Sequence, residues 1–148
     1  MTSQEKKEYL KRYQEASARV TYLSEEMCRI RSEACKISPV LSDMPSGRSC
    51  VNSKIEQAVE RLDACAAELE QEVRAMEQAM SEIRAAIVSV PDETLRQLLE
   101  LRYINGLKWW EIAERLSYSD EAKNVYKLHG KALHLLKLDT ELHHKPVI

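Results

Sequence analysis

The sequence predicts an all-α protein: a long antiparallel coiled-coil helical hairpin followed by a small helix-turn-helix domain. Three observations carry this. Phe is absent, aromatics make up 5% of residues and there are only three Gly, so the residues that strands and their tight turns draw on are scarce. Two apolar seams, each stepping by four and three, fill most of residues 1–90. After Val90-Pro91 the long period stops, and shorter helical stretches separated by Gly106 and Ser117-Tyr118-Ser119 follow.

The first seam runs through Tyr9, Tyr13, Ala16, Val20, Leu23, Met27, Ile30, Ala34 and Ile37, with charged residues between. The second runs through Ile55, Val59, Leu62, Ala66, Leu69, Val73, Met76, Met80, Ile83, Ile87 and Val90. Such stripes mark helices packed along a narrow face. Between them, residues from about 38 to 51 hold Pro39, Pro45 and Gly47. Pro removes a helical donor and Gly frees the backbone, so a loop is expected, with the second helix folding back on the first. A two-helix hairpin buries little, and Ala16, Ala34 and Ala66 thin the seam. Self-association as a homodimer, or docking on another protein, is therefore expected, beside the simpler reading of a self-sufficient spacer.

The C-terminal domain is expected over residues 91–138, with 139–148 as a flexible tail. Pro91 suits a first helical position, and Asp92 and Glu93 favour the positive end of a helix dipole. Leu95, Leu98, Leu99 and Leu101 continue that helix to Asn105, where Gly106 stops it. A short helix from Trp109 to Leu116 turns Ile112, Ala113 and Leu116 inward. Ser117-Tyr118-Ser119 makes a turn that Ser119 or Asp120 can close as a cap.

The last helix divides into two faces. Val125, Leu128, Ala132, Leu135 and Leu136 are assigned to the core, and Lys123, Lys127, Lys131 and His134 to the opposite face with Gly130. From Ala122 to Leu138 there are four Lys and no acid, in a chain whose net charge is −2. That balance gives the whole molecule no bulk attraction for nucleic acid, so a binding surface requires such local segregation. Lysines neutralise phosphates, and residues near the start of a reading helix reach base edges in the major groove. The expected contact set with double-stranded DNA is Lys123, Asn124, Tyr126, Lys127, Gly130, Lys131 and His134. A merely solvated lysine face is the plainer alternative.

The run Leu101-Arg102-Tyr103-Ile104-Asn105-Gly106-Leu107, then Glu111-Ile112-Ala113-Glu114-Arg115-Leu116, resembles the fourth conserved region of sigma-70-type factors. With Val125-Tyr126-Lys127-Leu128-His129-Gly130-Lys131-Ala132-Leu133, the chain is similar to the small sigma-like regulators of Gram-positive phages and integrative elements, the ArpU and RinA group of late-gene activators. In those a helical segment and a linker like Leu41–Pro45 precede the helix-turn-helix. The resemblance implies promoter binding and contact with RNA polymerase. It departs from the family where Ser119 to Val125 is two residues longer, where Ser117 replaces the turn Gly, and where Trp110 stands beside the expected Trp109. Nothing resembles the sigma region that melts promoter DNA.

No enzyme is expected: the chain has no Gly-rich phosphate loop, HExxH or nucleophile elbow. The four cysteines (Cys28, Cys35, Cys50, Cys65) form no CxxC pair, and the four histidines no ligand pattern, so neither a metal nor another cofactor is expected. No apolar run approaches the roughly 20 residues of a membrane span, and Met1–Lys11 is too polar for a signal peptide, which points to a cytoplasmic protein without membrane contact. Two functional readings stand. One is a sequence-specific DNA-binding transcriptional regulator whose coil oligomerises or meets polymerase. The other is a coiled-coil adaptor whose helix-turn-helix binds protein.

Overall fold

The computed structural model describes residues 1–37, 48–116 and 124–138, and it is all-α: among the described residues there are helices and no strand. In chain order these are α1 (Ser3–Ile37), α2 (Arg48–Val88), α3 (Glu93–Tyr103), α4 (Trp109–Arg115) and α5 (Val125–Leu135). Helix α2 starts at Arg48, so the last residues of the expected 38–51 loop are helical. The expected turn at Ser117-Tyr118-Ser119 and the tail 139–148 lie outside the described residues. None of the helices is long and apolar enough to cross a membrane, among the residues described.

The chain forms two compact units, one of residues 16–75 and one that joins residues 1–15 to 76–148. The boundary expected at residue 90 thus falls inside the second of these.

In the unit of residues 16–75, α1 and α2 run antiparallel, as the crossed numbering of their ion pairs requires. Arg19 Nε meets Glu72 at 2.9 Å, and Arg61 approaches both Glu26 and Glu33 at 3.8 Å. On α1 the seam residues Ala16, Val20, Leu23, Met27, Ile30 and Ala34 are all buried or half-buried. On α2 the seam shifts. Ile55, Leu62 and Leu69 are half-buried, but their alternates are Ala58 and Cys65, both buried, while Val59 and Ala66 are exposed. Stepping three then four from Ile55 gives this set, and stepping four then three gives the expected one. The sequence has apolar residues in both. Small side chains win the interior because two helices in contact leave a narrow space: Cys65 Sγ lies 3.5 Å from the Leu23 carbonyl oxygen.

In the other unit α3, α4 and α5 pack on one another. Their apolar faces join one core with Leu10 of α1 and with Ala79, Ile83, Ala86 and Ile87 of α2. Leu10 is wholly buried although it lies off the predicted seam, because it points into this core. Arg12 pairs with Glu82 at 2.5 Å alongside.

The reset after α2 follows the local chemistry. Asp92 caps α3, its carboxylate accepting from the backbone N–H of Thr94 (2.8 Å) and Leu95 (3.2 Å). At the far end Gly106 takes φ +70°, a left-handed conformation that side chains disfavour, and the chain turns there toward α4. Arg102 Nη1 holds that turn by donating to the Leu107 carbonyl (3.1 Å), and Gln14 Nε2 donates to the Arg102 carbonyl (2.7 Å). Helix α4 opens with Glu111 accepting from the Lys108 N–H at 2.8 Å.

Candidate nucleic-acid interface

Helix α5 is amphipathic in the way a surface helix must be. Val125, Leu128, His129, Ala132 and Leu133 are buried, and Leu136 follows just beyond the helix. Leu135, assigned to the core from spacing, is instead 39% exposed, and Leu133 takes its place at 2%. The spacing of Val125, Leu128 or His129, Ala132 and Leu136 fixes the direction of the inner face; Leu133 lies beside it and Leu135 to the outside.

The outer face collects the expected contact residues. Asn124, Tyr126, Lys127, Gly130, Lys131 and His134 are all exposed. Lys123 lies outside the described residues. No acidic residue occurs between Val125 and Leu135, and neither Lys127 nor Lys131 takes part in an ion pair among the described residues. A Cβ added at Gly130 would meet nothing within 4 Å among the described residues. Internal packing therefore does not require glycine there.

Beneath this face runs a chain of rings that composition does not announce. His129 Nε2 lies 2.7 Å from the Tyr103 hydroxyl, with the two rings stacked at 5.8 Å between centroids. Burial, reinforced by the positive charges of Lys7 and Arg102, pushes the His129 pKa down to about 4, so the ring is neutral. Burial lifts Tyr103 to about 12, so its phenol keeps its proton. Half-buried Trp109 sets its ring against His129 at 4.7 Å, edge to face, and against Tyr126 at 5.3 Å. The Arg102 guanidinium sits 4.3 Å from the Trp109 ring centre. Trp110 is 59% exposed.

Both ends of α5 are thus fixed. The rings hold its start, and at its close Lys6 Nζ donates to the Leu133 carbonyl (2.7 Å) and the Leu136 carbonyl (2.9 Å), two groups the helix leaves without partners. The Lys137 N–H donates to Ser89 Oγ at 3.0 Å. The role of Lys6 carries no sequence signal, since it pairs residues more than a hundred positions apart. His129 could have been found: it stands four residues after Val125 on the inner face.

Among the described residues no three His, Cys, Asp or Glu side chains group as metal ligands. Comparison with family models, with curated proteins and with solved structures returns no match to this chain.

Proposed function

We propose that this chain is a sequence-specific DNA-binding transcriptional regulator, in which α3 to α5 act as a sigma region 4-like helix-turn-helix and α5 enters the major groove. The observation that carries the reading is the outer face of α5: exposed, free of acids, and bearing Lys127 and Lys131 without an ion-pair partner among the described residues. Lysines so placed neutralise phosphates and release counterions. Asn124 and Tyr126, near the start of the helix, are the side chains for base edges. The resemblance of residues 91–138 to sigma-like regulators of phages and integrative elements supports the same reading. The function is binding rather than catalysis, in the cytoplasm, with no cofactor. The antiparallel coil serves to oligomerise the protein or to meet RNA polymerase.

The test is fluorescence anisotropy on duplex DNA from upstream of the neighbouring genes, titrated at several salt concentrations beside a scrambled duplex. Tight, salt-dependent preference for the upstream fragment is expected. Lys127→Ala and Lys131→Ala should each lower the salt slope by about one while leaving the fold intact. Unchanged affinity in the double variant would remove this face from the interface.

Exposed Trp110 favours a second reading, in which the same domain is an adaptor for protein. Equal weak binding to both duplexes, with capture of RNA polymerase lost in Trp110→Ala, would establish it.

A further inference from the structure

Tyr126 lies on the outer face of α5 and offers its phenol ring to solvent, 71% exposed. Its neighbours there are Asn124, Lys127, Gly130, Lys131 and His134. An exposed ring is ordinarily free to turn. This one leans on Trp109 at 5.3 Å with 48° between the planes. Trp109 is held in turn, by Arg102 over its face at 4.3 Å and by the His129 ring at 4.7 Å, and the Tyr103 hydroxyl fixes His129. Arg102 is itself tied at both ends, to the Leu107 carbonyl and, through its own carbonyl, to Gln14. Tyr126 is therefore an apolar surface braced from the core, which lowers the entropy lost when a partner meets it.

Major-groove chemistry identifies that partner. Base pairs present acceptors and donors there, and a single kind of apolar group, the C5 methyl of thymine. Lysines and an asparagine suit phosphates, acceptors and adenine; an aromatic ring suits none of these as well as it suits a methyl group. We infer that Tyr126, positioned by Trp109, reads a thymine through its C5 methyl. This rests on α5 being the DNA-reading helix, and the experiment separates the two claims.

A random duplex pool is selected on the full-length protein, and the enriched duplex is resynthesised with each thymine in turn replaced by deoxyuridine, which removes the methyl alone. One replacement should weaken binding about fourfold, the effect of one buried methyl group. That dependence should vanish in Tyr126→Ala and persist in Tyr126→Phe, which keeps the ring. Since Tyr126 is mostly exposed, its loss leaves the core intact, and an unchanged circular dichroism spectrum will verify this. If the duplex binds but no deoxyuridine matters, or if the dependence survives in Tyr126→Ala, the inference falls and the DNA-reading assignment stands. If no duplex is enriched, both fall.

Discussion

At the scale of single residues, His129 ties stability to pH. Its ordinary pKa of 6.5 drops to about 4 in the folded chain, chiefly because burial penalises the imidazolium. Above pH 6.5 the ring is neutral in both states. As the pH falls, the unfolded chain takes up the proton first and the folded chain resists until about 4. Stability is thus full above the unfolded value and drains away across that window, by an amount of the order of 3 kcal/mol. His129→Gln keeps an acceptor for Tyr103 and cannot titrate. Urea midpoints should show the wild type's advantage over His129→Gln shrinking between pH 7 and pH 4.5; a constant difference would mean that His129 titrates alike in the folded and unfolded chain. Gly130 gives a complementary expectation. With open space at its Cβ, Gly130→Ala should raise stability by up to about 1 kcal/mol, because alanine is the better helix former. If the glycine serves close approach to a sugar-phosphate backbone, the same change should lower DNA affinity.

At the scale of elements, much was legible and the failures have one source. Helices without strands among the described residues follow from the missing Phe and scarce Gly, and the α3 start follows from Asp92, which caps the helix, whereas Pro91, expected at the first helical position, lies before the cap. The α1 seam is legible because it carries Val20, Leu23, Met27 and Ile30, while the apolar residues beside it (Ala18, Tyr22, Cys28 and Cys35) form no continuous column. The α2 seam is ambiguous because Ala58 and Val59, then Cys65 and Ala66, offer adjacent apolar columns. Which column turns inward depends on how near α1 lies, and periodicity on one helix carries no such distance. Leu10 and Lys6 were invisible for the same reason, as their partners are far along the chain. The outer face of α5 was legible because a run of lysines without acids needs no knowledge of neighbours. What braces Tyr126 from below was not. Leu10 lets this be checked: wholly buried in the core of α3 to α5, it should cost 2–5 kcal/mol as Leu10→Ala, as deep core leucines do. Thermal melts of the full chain would measure it. A loss below about 1 kcal/mol would mean that α1 does not close this core.

At the scale of the whole molecule, α3, α4 and α5 share one compact unit with residues from both long helices. The unit that carries α5 includes residues 1–15, and that stretch supplies Leu10 to the core and the Lys6 ammonium to the last carbonyls of α5. A fragment of residues 91–138 lacks both, together with Ile83, Ile87 and Val90. The other unit, residues 16–75, buries Ala16, Ile30, Ala58 and Cys65, three of them small, and leaves Val59 half-exposed. Local opening follows buried apolar area, so the two units should differ in amide exchange. In the unpartnered protein, amides of α3 and α5 should be protected longest, and those of α1 and α2 within residues 16–75 should exchange sooner. A partner on the coil, whether a second copy or polymerase, would slow the second set by covering Val59, Ala66 and their neighbours. Hydrogen exchange followed by mass spectrometry at rising protein concentration distinguishes these. Slowing with concentration would assign the cover to a second copy, and slowing only on adding polymerase would assign it there. Equal protection of both units in dilute protein would show that the thin seam of residues 16–75 is as stable as the core beneath α5.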